Sequence, residues 1–392
     1  MDFTILIRSL QGEPVLLALL AVFFLFSALS MLTYFYVVRH SSGSVEWIRR
    51  RRYGKFEPLI WNIPRPSDFL WLLLSVALSA VLRVVRIFCF LDLYTFSVQS
   101  YDDLLVAAFS ETMIPTLALA AACYLLVRTV YGNSLVAMLC SLLGAFTHST
   151  QLWATTLIVM SLLFLYIWMT AKADAPLFFN AFWLVFSAMC YGSALLTCWA
   201  SIYLAPMYVT AYVATQYFRW RKGDPERRFR KLIASIVLLL TVVLVGVFLL
   251  WLLYYLSEKG RVHVLTILGS EELYAEMFPT LIQKFRDLFV RRGMRATFYA
   301  ADSFLLLLGL SCVLPALCEL WKERRLVMSL GILCLGFFGI MWVLGCVYML
   351  MPALLLLIGG VWTAFAQRGY ARYAVFSCLA VILCYVAELL LR

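Results

Sequence analysis

Of the 392 residues, 64% are hydrophobic and only 14% charged, which excludes a soluble globular domain. The net charge of +11 comes from 32 Lys and Arg against 21 Asp and Glu. Most of these cations lie in gaps between apolar runs on one side, as expected of loops retained on the cytoplasmic side, so the charge implies no nucleic-acid partner.

In chain order, the apolar runs long enough to cross ~30 Å of hydrocarbon are 14–38, 68–91, 104–127, 134–150, 153–170, 177–195, 198–218, 232–256, 302–320, 327–345, 347–365 and 373–391. They predict an all-α polytopic membrane protein of about twelve transmembrane helices. Four parts follow: an N-terminal anchor helix and basic loop (1–63), a transmembrane core (64–256), a long outer loop (257–301) and C-terminal transmembrane helices (302–392). The first run is too long for a cleavable signal, and its basic flank is C-terminal, which marks an anchor with its N-terminus outside.

Alternating through these spans, one side collects 21 of the 32 basic residues, among them Arg39, Arg49 to Arg52, Arg65, Arg128, Arg219, Arg221, Arg368 and Arg372. That side is read as cytoplasmic, with both termini and the stretch 92–103 outside. The eleven cysteines lie in or directly beside apolar runs without CxxC spacing, so they read as packing residues rather than a disulfide framework or zinc site. The three histidines are scattered, and neither a glycine-rich phosphate loop nor a serine-nucleophile elbow is present. Any chemistry must come from carboxylates and bases at the outer face.

Asp92, Asp102 and Asp103 follow the second span there, and Glu111 comes about two turns into the next helix. Arg83 and Arg86, three residues apart on one helical face, belong to the outer half of that second span. Intramembrane cations are expensive and turn toward a partner or a polar cavity. Two readings fit: they snorkel or pair with Asp92 for structure alone, or they hold an anionic lipid head group beside the two aspartates.

The long outer loop contains SEELYAEMFPTLIQKFRDLFVRRG (270–293). Ser270 suits a helix N-cap, and Leu273, Met277, Leu281, Phe285 and Leu288 recur at helical spacing. Lys284, Arg286, Arg291 and Arg292 gather toward the end, which predicts an interfacial amphipathic helix kinked at Pro279. Its cations either anchor the helix to the surface or bind a phosphate arriving from the outer leaflet.

Several stretches resemble the GT-C superfamily of membrane glycosyltransferases, which take a sugar from a polyprenyl-phosphate carrier. PRPSDFLWLLLSVALSAVLRVVRIF (64–88) is similar to that family's first core helix, and YDDLLVAAF (101–109) occupies the place of its acidic pair. YLLVRTVYGNSLVAMLCSLLGAF (124–146) resembles its aromatic-glycine turn, FSAMCYGSALLTCWASIYLAPMYVTAYV (186–213) its glycine-containing helix pair, and YMLMPALLLLIGGVWTAF (348–365) its late Tyr/Leu/Pro helix. The chain departs from the family in a shorter first outer loop, and in offering His148 and Gln151 rather than an acid after the second outer turn. Within that superfamily the chain resembles the protein O-mannosyltransferases and aminoarabinose transferases.

The resemblance implies a polyprenyl-phosphate-linked sugar as donor and a glycan, lipid or protein as acceptor. It implies a catalytic centre at Asp103 or Asp102, with Asp103 favoured as general base. Arg83, Arg86, His148, Lys284, Arg286, Arg291 and Arg292 would bind substrate, the cations neutralising the carrier phosphate. No metal ligands are assigned, and a divalent cation stays open as a helper. The implied location is a bacterial cytoplasmic membrane, active face outward. Two other readings stand beside it: an envelope polysaccharide polymerase or ligase, and a non-catalytic lipid or solute transporter.

Overall fold

The computed structural model describes residues 14–40, 65–89, 101–145, 152–170, 177–197, 201, 204–221, 303–320 and 350–391. The described residues are helical apart from short turns, with no strand among them. The helices are α1 (Pro14–His40), α2 (Pro66–Cys89), α3 (Tyr101–Tyr131), α4 (Ser134–Ala145), α5 (Leu152–Thr170), α6 (Leu177–Thr197), α7 (Ala205–Arg221), α8 (Ser303–Ser311), α9 (Val313–Leu320), α10 (Met351–Gln367) and α11 (Ala371–Leu391). Three stretches are long and apolar enough to cross a membrane: Pro66–Val85, Thr112–Tyr131 and Leu152–Thr170. The predicted spans 232–256 and 327–345 and the predicted interfacial helix lie outside the described residues.

The described parts of two predicted spans carry local detail that hydropathy does not show. The run 302–320 is helical over 303–320, with Cys312 as a turn residue between α8 and α9. Pro315 has no amide proton for the carbonyl of Ser311 and its ring crowds that carbonyl, so the ladder yields there. The Cys312 amide keeps its ordinary bond to the Leu308 carbonyl and also reaches that of Gly309, at 3.1 Å each. Within the run 198–218, Ser201 and Leu204 are in 3-10 turns and α7 starts at Ala205, one residue before Pro206, which is preorganised for a helix start. Two hydrogen bonds tie Ser201 to α6: Tyr191 Oη donates to the Ser201 carbonyl at 2.8 Å, and Ser201 Oγ to the Ala194 carbonyl at 3.3 Å.

Helix α10 is the centre of the bundle. Met351 through Phe365 are all buried, as expected of a helix apolar on every side. It packs on α3, α4, α8 and α11. The outer faces of α1 and α2 carry exposed Phe24, Leu32, Phe69 and Leu70, which suits contact with lipid tails. Interhelical hydrogen bonds add specificity. Tyr131 Oη donates to the Leu356 carbonyl at 2.6 Å, and Ser75 Oγ donates to Ser141 Oγ at 2.6 Å, which passes its own proton to the Ala120 carbonyl at 2.7 Å. Ser161 and Ser187 each donate to the other's carbonyl, at 2.7 and 2.8 Å, and clamp α5 to α6.

The described cysteines are all free, and the buried Cys140 and Cys378 direct their thiols at the carbonyls of Leu355 and Leu139, both at 3.8 Å. They act as small apolar residues with a weak donor, as the sequence predicts.

At Gly309 the bundle approaches most closely. A β-carbon there would stand 2.5 Å from Leu354 Cδ2 and 2.9 Å from its Cβ. Leu354 is itself buried in the central helix and has no room to withdraw. Gly309→Ala is therefore expected to destabilise the protein by about 1–3 kcal/mol, read as a lowered unfolding midpoint in detergent.

Candidate functional site

The helix connections are set by local chemistry at one end of the bundle. Asp68 stands at the third position of α2 and accepts the backbone N–H of Arg65 at 2.6 Å, half of a capping box. Gly132, at φ 75°, turns the chain after α3, and its N–H reaches the Arg128 carbonyl at 2.8 Å. Asn133 then caps α4, its Oδ1 accepting the Val136 N–H at 3.1 Å. These caps bring Arg128 Nη2 to 2.9 Å from Asp68 Oδ2, while Ser134 Oγ donates to Asp68 Oδ1. Both charged side chains are buried, the anion at a helix start and the cation in a helix's last turn, where the backbone dipoles favour them.

This ion pair joins two segments that the family resemblance singles out separately, 64–88 and 124–146. Sequence reading placed Arg128 and Arg65 in basic connections and assigned no role to Asp68. The same end of the bundle carries Arg39, Arg368 and Arg372, since Tyr36 of α1 meets Tyr370 beside the start of α11 and Cys378 of α11 meets α4. Arg39, Arg65, Arg128, Arg368 and Arg372 of the predicted basic side thus share one end.

The opposite end belongs to the start of α3. Asp102 and Asp103 occupy its first turn, where successive side chains diverge by ~100°. The contacts Asp68–Arg128 and Ser75–Ser141–Ala120 run α2 and α3 antiparallel in register. Arg83, fifteen residues past Asp68, is therefore level with about Met113, roughly 15 Å short of Asp103 along the axis. Arg86 comes within roughly 10 Å of the same level.

Helix α2 turns a polar stripe inward: Asp68, Ser75, Ser79 and Arg83 recur at intervals of seven, four and four residues and are all buried, Arg83 being 3% exposed. Buried Thr112 and Thr116 of α3 come at about the level of Arg83 by the same register. Thr156 of α5 places the start of its helix there too, its hydroxyl donating to the Leu152 carbonyl at 2.8 Å and lying 3.5 Å from the carbonyl of Pro115. Ser79 Oγ and Thr116 Oγ1 are fully buried hydroxyls without a hydrogen-bond partner. Pro115 interrupts the ladder of α3 beside them and leaves the carbonyl of Glu111 without its usual intrahelical donor.

A buried cation, unfilled hydroxyls and a proline-interrupted helix together form a polar seat inside an apolar bundle. Such a seat suits a charged or hydroxyl-bearing group. Sequence reading found Arg83 but missed Ser79, Thr112, Thr116 and Thr156. The helical spacing of Asp68, Ser75, Ser79 and Arg83 is the signal that marks the stripe.

The side chains of Asp102, Asp103 and Arg86 lie outside the described residues, as do His148, Lys284, Arg286, Arg291 and Arg292 altogether. Among the described residues no three of His, Cys, Asp and Glu converge as a metal-ligand set. No protein-family model, curated protein or solved structure matches this chain.

Proposed function

We propose that this chain is an integral membrane glycosyltransferase that moves a sugar from a polyprenyl-phosphate carrier to an acceptor hydroxyl, with Asp103 or Asp102 as general base. Its active face is the outer face of a bacterial cytoplasmic membrane. The observation that carries this reading is the burial of Arg83 in the polar seat between α2 and α3, some three turns below the acidic start of α3. An ionisable side chain kept inside a membrane span is expensive and marks a candidate functional site.

The chemistry divides between the two levels. A carrier lipid brings its phosphate to head-group depth, where Arg83, with Arg86 above it, neutralises the charge through planar, bidentate N–H donors. The sugar then extends toward the first turn of α3, where a carboxylate removes the acceptor proton as the phosphate departs. The polymerase or ligase alternative draws on 258–301, which lies outside the described residues.

The test is turnover of radiolabelled polyprenyl-phosphate sugars by purified protein in nanodiscs. Wild type is expected to consume at least one carrier sugar. Arg83→Lys keeps the charge and loses the fork, and is expected to lower kcat/KM by about 10–100-fold, mainly through KM. Failure of folded wild-type protein to consume any carrier sugar sets the reading aside.

A further inference from the structure

We propose a second binding site, for the phosphate of an anionic membrane lipid, on the Arg128 end of the bundle where the α10–α11 turn meets the end of α1. Helix α10 closes in a tight left-handed cap: the Gly369 N–H reaches the Ala366 carbonyl at 3.1 Å and the Tyr370 N–H the Phe365 carbonyl at 2.9 Å. Arg368 and Arg372 are thereby held on either side of a three-residue reversal, with Arg368 Nη1 donating to the Ala364 carbonyl at 3.4 Å.

Arg372 is exposed and preorganised. Its guanidinium carbon lies 5.8 Å from the Tyr370 ring and 5.6 Å from the Tyr373 ring, which stack on each other at 5.9 Å. Two rings fix the cation through its face and leave its in-plane N–H donors for an anion's oxygens. The aromatic chain continues to α1: Tyr36 stands edge-on to Tyr370 at 6.2 Å, and His40 packs on Tyr36 at 4.2 Å while its Nδ1 bonds the Tyr36 carbonyl at 2.9 Å. Arg39 closes the group from the last turn of α1. No carboxylate of the described residues pairs with Arg39 or Arg372, whereas Arg128 at the same end is neutralised by Asp68.

A second feature points to a lipid rather than a soluble anion. Below Arg372, at helical spacing, α11 exposes Phe376, Leu379 and Leu383; below Arg39, α1 exposes Phe35, Leu32, Leu29 and Leu25. Each arginine thus heads an apolar strip that runs into the bilayer. This pairs a phosphate-binding head with surfaces for acyl chains, and tyrosines occupy the interfacial level between them.

The site is tested by delipidating the protein, reconstituting it into nanodiscs of phosphatidylcholine with a minor share of phosphatidylglycerol, and weighing retained lipid by native mass spectrometry. Wild type is expected to retain phosphatidylglycerol over phosphatidylcholine. Arg372→Leu should lose that preference by about fivefold. Arg65→Ala, which removes an exposed cation at the same end away from the rings, should keep it. Arg372→Lys retains charge without the stacked fork and should fall between. An unfolding midpoint measured for each variant separates lipid loss from misfolding. Three results overturn the proposal: equal loss in Arg65→Ala, which reduces the effect to general surface charge; unchanged retention in Arg372→Leu; or displacement of the lipid by inorganic phosphate, which assigns the site to a soluble anion.

Discussion

Replacing Asp68 by Ala is expected to cost about 3–5 kcal/mol of stability, the largest structural effect of any single change in the described bundle. Arg128 would remain buried without its anion, and the Ser134 hydroxyl and the Arg65 N–H would lose their acceptor. Asp68→Asn keeps the cap's shape and an acceptor oxygen but not the charge, so it should lose less. Arg128→Met alone should be as damaging as Asp68→Ala, because it leaves a carboxylate buried. The double change Asp68→Leu with Arg128→Met removes both charges and should recover much of the loss, since apolar groups of similar volume often replace a buried pair at little cost. Unfolding of the four variants in micelles decides the matter. Single variants within about 1 kcal/mol of wild type would mean that the pair behaves as an exposed one.

The helices were legible because a membrane span must satisfy every backbone group internally, which forces long uninterrupted apolar runs into the sequence. Hence 14–38, 153–170 and 177–195 were read to within two residues of α1, α5 and α6. What hydropathy does not carry is punctuation inside a run. Pro315 and Ser201 lie within apolar runs, so a window average passes over them. The turn at Cys312 and the ties of Ser201 to α6 follow from a missing amide proton and from side-chain hydrogen bonds to carbonyls, which act locally.

The candidate site was legible in proportion to charge. Arg83 stands out in an apolar run, whereas Ser79 and Thr116 do not, since hydroxyls in membrane helices commonly return to their own helix's carbonyls. Their lack of a partner is a property of the packed bundle. The Asp68–Arg128 pair was invisible for another reason. Its members are 60 residues apart and meet only because α2 and α3 pack antiparallel and the Gly132 turn directs Ser134 back to the same carboxylate.

The acidic start of α3 supplies the prediction with the largest functional effect. If one of its two carboxylates is the general base, its loss should lower the chemical step by ~10²–10⁴. Adjacent positions on a helix diverge by ~100°, so only one of them faces the polar seat. Asp103→Asn and Asp102→Asn should therefore differ sharply, with Asp103 the more damaging. Asparagine preserves shape and hydrogen-bonding reach but accepts no proton, so the loss should fall on kcat with KM little changed. Arg83→Lys, acting on carrier binding, should do the reverse. Combining Asp103→Asn with Arg83→Lys should then give nearly additive losses, since the two groups lie roughly 15 Å apart along α3 and serve different parts of the substrate. Equal, small effects at both aspartates would make the pair a solvated helix start whose charges favour the backbone dipole, and the base would have to be sought elsewhere on that face.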